Sequence, residues 1–188
     1  MSVGTVAILL QDEQELLEQF KHEKTQQQAF GKLVRKYQEK VYWHVRKMVI
    51  DHEDTNDLTQ DIFVKVWKGL PNFKGESQLY TWIYRIATNE CLSFLRKKRN
   101  KYFLPIADVG KELTQKLESG NHISGDEIQM KLQKALLRLP DKQRLVFNMK
   151  YFDDLKYEEI SEIVGTSVGA LKASYHLAVK KIEEFLNQ

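Results

Sequence analysis

The sequence predicts an all-α chain of two small helical domains joined by a flexible linker, the second domain a helix-turn-helix. Three observations predict it. Apolar residues recur at helical spacing almost throughout, with little β-alternation. Between residues 102 and 126 the recurrence fails: Pro105, Gly110, Gly120 and Gly125 punctuate scattered polar residues, although "KELTQKLE" within this stretch could form a short helix. Near the C-terminus a glycine separates two short helical patterns, the spacing of a helix-turn-helix. With 188 residues, 42% of them hydrophobic, the chain can build real cores.

Residues 1–24 match no assigned segment, and "DEQELLEQFK" within them has the pattern of a further helix. The first domain, 25–101, reads as three amphipathic helices: "QAFGKLVRKYQEKVYWHVRKMV", "DTNDLTQDIFVKVWKGL" and a third built around "YTWIYRIATNE". Pro71, Asn72 and Gly75 break the last two apart. Asp51 is placed to cap the second, where carboxylates also suit the first turn.

In the third helix Leu79, Ile83, Ile86, Ala87, Cys91 and Phe94 fall on one side, the core side. Trp82, Arg85, Asn89, Ser93 and Arg96 cluster on the other. Residues two apart in a helix point to nearly opposite sides, so the rings at 80, 82 and 84 cannot all be inside. Tyr84 and part of Tyr80 are expected in the core, with Trp82 outside. A tryptophan beside arginine, asparagine and serine, running into the basic block "LRKKRNK", suits nucleic acid: cations for phosphate, an amide for a base edge, a ring for an unstacked base. On these residues alone the alternative stays open, with Trp82 packed on a neighbouring helix among solvated charges.

The second domain, 127–188, carries the sharper motif. A helix over Tyr157–Val164 offers Ile160, Ile163 and Val164 as its apolar face, and Ser161 is small where two helices cross. Gly165 permits the positive φ of a tight helix-ending turn, Ser167 is a good N-cap for the next helix, and Leu171 should turn inward. A plain helical hairpin shares this spacing. Lys172, Tyr175, Lys180 and Lys181 on or near the last helix favour DNA, because phosphate neutralisation needs cations there.

The net charge of +3 and pI near 8.8 are only mildly basic, but the charge is uneven. The basic block contrasts with the acidic "HEDTNDLTQD", a division that fits more than one partner. The single cysteine, Cys91, excludes an internal disulfide and a multi-cysteine zinc site. "VAILL" is too short to span a bilayer and lacks the flanks of a signal peptide, so a cytoplasmic protein without membrane insertion is expected. His52, Glu53, Asp54, Asp57 and Asp61 could be imagined as a metal site, yet a helix start explains the same residues. No phosphate loop or nucleophile–base motif appears. No catalytic residue, metal, cofactor or small-molecule substrate is expected, and the chain does not read as an enzyme.

Taken together, these segments resemble the bacterial sigma factors of the extracytoplasmic-function (ECF) group, small two-domain members of the sigma-70 family. The resemblance rests on "DLTQDIFVKVW" (57–67), "FKGESQLYTWIYRIATNECLSFLRKKR" (73–99) and "LPDKQRLVFNMKYFDDLKYEEISEIVGTSVGALKASYHLAVKKI" (139–182), and covers roughly residues 25–185. It implies a sigma region 2-like domain over 25–101 and a region 4-like domain over 127–188. It further implies a DNA-binding transcription initiation factor that binds core RNA polymerase, recognises and melts the minus-ten element and reads the minus-thirty-five element of promoter DNA. An anti-sigma factor is the inhibitor it implies.

Carried over residue by residue, polymerase binding falls to Asp57, Gln60, Asp61 and Val64, which share one helical stripe. Minus-ten recognition falls to Phe73, Lys74, Ser77 and Tyr80, where a loop captures a flipped base, and to Trp82, Arg85, Asn89, Ser93, Arg96 and Lys97. Minus-thirty-five recognition falls to Lys150, Ser167, Val168, Lys172, Ser174 and Tyr175. Many relatives carry arginines where this chain has Ser174, Leu177 and Val179, and Lys172 stands for an arginine. A lysine grips a guanine edge less well than a bidentate guanidinium, so the resemblance leaves the promoter sequence open.

Overall fold

The computed structural model describes residues 3–102 and 127–187. The segment 103–126, including the short helix expected within it, lies outside the described residues. Among those described there are eight α-helices, one short 3-10 turn and no strand. The first lobe holds α1 (Val3–Lys21), α2 (Glu23–Val49), α3 (His52–Gly69) and α4 (Leu79–Tyr102). The second holds α5 (Glu127–Leu137), α6 (Asp141–Tyr151), α7 (Tyr157–Val164) and α8 (Val168–Leu186).

Local sequence accounts for most boundaries. Along α2, Ala29, Leu33, Tyr37, Val41, Val45 and Met48 recur at three- and four-residue spacing and are all buried. The helix ends where Ile50 turns to φ 69°, its N–H donating to the Arg46 carbonyl at 2.9 Å. One residue on, the Asp51 carboxylate accepts the Asp54 N–H at 2.9 Å and starts α3. Pro71 sits in the 3-10 turn Leu70–Asn72 that closes α3, and Gly75 adopts φ 73° before α4 begins. The unassigned N-terminal segment is helical: α1 brings the Phe20 ring edge-on to Trp67 at 5.0 Å, beside Phe30 at 4.9 Å from the same indole.

The helix-turn-helix forms as its spacing predicts. Glu159 accepts the Lys156 N–H at 2.7 Å, tying down the start of α7, and Ile160 and Ile163 are buried. Gly165 takes the left-handed conformation, φ 67°, with its N–H on the Ser161 carbonyl at 2.9 Å. The Ser167 hydroxyl caps α8 by accepting the Ala170 N–H at 3.4 Å, and Leu171 is buried.

A small core of Ala135, Leu136, Leu139, Phe147, Ala178 and Ile182 belongs to the second lobe alone. The larger core crosses between lobes: Leu145, Met149, Ile160 and Leu171 join one continuous cluster with the buried faces of α2, α3 and α4. On α4, Leu79, Ile83, Ala87 and Cys91 are buried as expected, with Leu95, while Ile86 and Phe94 are half-buried.

Burial pushes the Cys91 thiol up to about 12, and the Arg144 cation offsets this only in part. At pH 8 the thiolate fraction is then about one in ten thousand. The folded chain should therefore resist iodoacetamide and take up one label only in denaturant, read by intact-mass spectrometry; rapid labelling of the native chain would contradict this burial.

Candidate functional site

The acidic segment sorts into two sets by helical geometry. Asp51 caps α3, and Asp54 pairs with Lys98 of α4 at 3.3 Å. Asp57, Gln60 and Asp61 are exposed, and Val64 is 50% exposed, so the predicted stripe lies open along one side of α3. Gln60 and Val64 also border an apolar groove between α2 and α3, with Phe30, Val34, Phe63 and Trp67 in its lining. An apolar groove edged by carboxylates can seat the apolar side of a basic partner helix. The groove is made by two helices and is not visible in either one's pattern.

The residues assigned to minus-ten recognition lie on the turn after α3 and along α4. Lys74, Arg85, Asn89, Arg96 and Lys97 are exposed, whereas Phe73, Ser77, Tyr80 and Ser93 are half-buried. Tyr84 is buried, as expected, with its hydroxyl donating to the Lys40 carbonyl at 3.2 Å. The Tyr80 ring lies tilted beside it, ring centres 4.3 Å apart.

Trp82 departs from the outward position expected of it. It is half-buried, its indole lies 5.2 Å from the Phe73 ring, and it closes over Gly69, where a Cβ would come within 3.0 Å of the ring. The bare backbone at the end of α3 leaves a hollow that the indole fills. Helical spacing placed Trp82 off the main core side but could not show this neighbour.

In the second lobe Ser167 and Lys172 are exposed at the start of α8, and Val168 and Ser174 are half-buried. Tyr175 stacks on Phe147, ring centres 5.6 Å apart. The Lys172 ammonium lies 5.8 Å from the Tyr157 ring centre. Lys150 is engaged within its own turn, donating to the Leu155 carbonyl at 3.1 Å.

A polar seam between the lobes escaped the sequence reading. The Arg144 guanidinium, fully buried, donates to the Met48 carbonyl at 3.1 Å, and the Asn148 amide donates to the Lys47 carbonyl at 3.4 Å. Asp153 is ion-paired with Lys47 and stands 3.6 Å from His44 Nδ1. The other ring nitrogen of His44 is 3.1 Å from the Thr88 hydroxyl of α4. Burial by itself would raise the Asp153 carboxyl, but hydrogen bonding to His44 and Lys47 together with their charges outweighs it and holds the group below the ordinary aspartate range. Arg99 pairs with Asp141 at 2.9 Å, and Arg85 donates two hydrogen bonds to the Glu162 carbonyl, at 3.2 and 2.9 Å. Two signals were available: Arg144 stands directly before the apolar run Leu145, Val146 and Phe147, and His44 shares helical spacing with Val41, Val45 and Met48.

Comparison with known proteins agrees with this architecture. The family descriptions "Sigma-70 region 2" and "Sigma-70, region 4" match residues 33–101 and 129–182. The ECF RNA polymerase sigma factor SigW of Bacillus subtilis is 32% identical over 164 residues, covering 81% of this chain and 86% of that one. The chain belongs to the ECF sigma factors of the sigma-70 family. The ECF RNA polymerase sigma-E factor of Escherichia coli is 30% identical over 171 residues, covering 86% of this chain and 88% of its own.

The fold of this sigma factor is shared with two solved structures at low identity. CnrH, solved with the cytosolic domain of CnrY, superposes with a TM-score of 0.66 at 22% identity, covering 94% of this chain and 97% of that one. The sigma factor RpoE of Bartonella quintana, solved with the anti-sigma factor NepR, superposes at 0.65 and 21% identity, covering 84% and 96%. In this sigma factor the region 2 match falls on α2, α3 and α4 and the region 4 match on α5 to α8. Possession of both regions places the chain in promoter-specific transcription initiation. Among the described residues no helix is long and apolar enough to cross a membrane.

The packing of Trp82 has a measurable consequence. Trp82→Ala should cost about 2 kcal/mol and lower the melting temperature by about 4–8 °C, less than a fully buried tryptophan would. Thermal denaturation followed by circular dichroism checks it; an unchanged melting temperature would return the ring to the surface.

Proposed function

We propose that this sigma factor docks on core RNA polymerase through α3, opens the minus-ten element against the 73–80 turn and α4, and reads the minus-thirty-five element with the start of α8. The observation that carries the reading is the exposure of three separate sets of side chains. Asp57, Gln60, Asp61 and Val64 line α3; Asn89, Arg96 and Lys97 line α4; Ser167 and Lys172 begin α8. Each has the chemistry its task needs: carboxylates beside an apolar groove for a protein partner, cations with an amide for separated strands, and a helix N-terminal turn for the major groove.

Phe73 and Trp82 together make an aromatic wall beside Lys74. A flipped base stacked there would recover about 1–3 kcal/mol of its unstacking cost. Trp82 then acts as the backing of that wall, and Asn89 reaches the base edge from the exposed side of α4. The partners are core polymerase and promoter DNA. An anti-sigma factor is the proposed inhibitor, supported by the two solved relatives captured with CnrY and NepR.

The decisive experiment is run-off transcription by core polymerase with and without the chain, with RNA start sites sequenced. Promoter-directed starts should appear only with the chain; a helix-turn-helix regulator acting without polymerase would give none. Asp61→Lys should weaken binding to core polymerase at least about tenfold, because charge reversal places like charges at the interface. Native-like circular dichroism with unchanged polymerase affinity would remove α3 from the interface. Lys172→Ala, if the ammonium meets a base edge, should cost about 1–3 kcal/mol on the preferred promoter and relax specificity at one position. A uniform loss across sequences with a salt slope smaller by about one unit would assign it to a phosphate.

A further inference from the structure

We propose that Leu177 is a specificity-determining residue of α8, and that it reads thymine methyl groups in the minus-thirty-five element. The inference rests on the reading of α8 as the helix that enters the promoter duplex.

Three observations support it. The first is where the side chain stands. Leu171, Ala178 and Ile182 are buried and fix the inner side of α8. Ala170, Ala173 and Leu177 are exposed and follow one another at i, i+3 and i+7, so they form an uncharged row on the outer side. The row is about 10 Å long, roughly three base-pair steps. Of the three positions where relatives carry arginine, Ser174 and Val179 are half-buried and Leu177 alone is exposed, at 48%. Leu177 belongs to neither apolar core.

The second is charge. Lys180 and Lys181, both exposed, follow Leu177 by one turn, and exposed Lys172 precedes it on the same helix. Lys181 donates to the Gln143 side chain of α6 at 2.9 Å. A leucine among lysines suits a polyanion that also presents methyl groups. The major groove is such a surface, because the C5-methyl of thymine lies on its floor between two phosphate backbones. Glu183 and Glu184, exposed further along α8, would repel phosphate and set the far limit of the contact.

The third is a close approach. Gly169 is exposed in the first turn of α8, its φ is not in the left-handed region, and a Cβ there would meet nothing within 4 Å. Packing within the chain therefore does not call for glycine, which weakens a helix relative to alanine. A surface arriving from outside does call for it. Without a side chain at 169 the start of α8 settles nearer the groove floor, and Leu177 comes within reach of the bases.

The test uses the holoenzyme formed from core polymerase and the full chain. Duplexes randomised over the minus-thirty-five region are selected by binding and sequenced, and thymine should be enriched. Uracil pairs as thymine does but lacks the methyl group, so replacing each selected thymine by uracil isolates the contact. Where Leu177 reads, the replacement should weaken binding about fourfold, the ratio equivalent to about 0.8 kcal/mol for burying one carbon. Leu177→Ala should bind the thymine and uracil duplexes alike, with an unchanged circular dichroism spectrum. Leu177→Arg should move the enrichment at that position from thymine to guanine. Gly169→Ala should weaken binding to every duplex while the melting temperature holds or rises. Equal affinity of the unsubstituted holoenzyme for thymine and uracil duplexes, or a uracil penalty that survives Leu177→Ala, would overturn the inference and leave α8 as the reading helix. Undiminished binding by Gly169→Ala would overturn the close approach on which the reach of Leu177 depends. A holoenzyme that selects no sequence in the minus-thirty-five region would overturn that reading of α8, and the inference with it.

Discussion

The last turn of α2 is completed by residues from the other half of the molecule. A helix leaves its final carbonyls without intrahelical partners, and in α2 those of Lys47 and Met48 are buried under α6. Asn148 and Arg144 satisfy them, and the guanidinium also brings positive charge to the negative end of the helix dipole. A buried carbonyl deprived of its donor costs about 1–3 kcal/mol, so losing either side chain would disfavour this approach of the lobes. The larger core, the ion pairs around Asp153 and the contact between α4 and α7 all assume the approach that Arg144 and Asn148 make possible.

Helix α4 shows how one element serves several neighbours. Leu79, Ile83, Ala87 and Cys91 belong to the core, Arg85 reaches α7, and Asn89, Arg96 and Lys97 face solvent. Twenty-four residues without proline or glycine give the helix enough turns to keep these roles on separate sides. The acidic helix α3 divides labour in the same manner: its N-terminal carboxylates stabilise the helix start, and those one and two turns later remain available for a partner.

Much of this was legible in the sequence because the determining residues lie close together along the chain. The Asp51 and Ser167 caps, the Gly165 turn, the break at Pro71 and Gly75, and the inward Leu171 are all local decisions between neighbours. The residues of the α3 stripe came from the family resemblance, and helical spacing placed them on one side of the helix. What could not be read depends on residues far apart. Periodicity assigns Trp82 to a side of its helix but cannot reveal that Gly69 leaves room for an indole. Nor can it reveal that Arg144 and Asp153 meet Met48 and Lys47, about a hundred positions earlier. A charged residue at the edge of an apolar run can point to a buried partner; it does not identify the partner.

The turn between α2 and α3 gives this long-range contact a mechanical meaning. Only Ile50 and the capping residue Asp51 separate the end of α2, whose last turn Arg144 and Asn148 hold, from the first turn of α3. Ile50 is locked at φ 69°, a conformation that a β-branched residue adopts only under the constraint of its surroundings. So short and stiff a joint has no slack. Any rotation of the end of α2, whichever lobe imposes it, is carried into the axis of the helix that bears Asp57, Gln60 and Asp61.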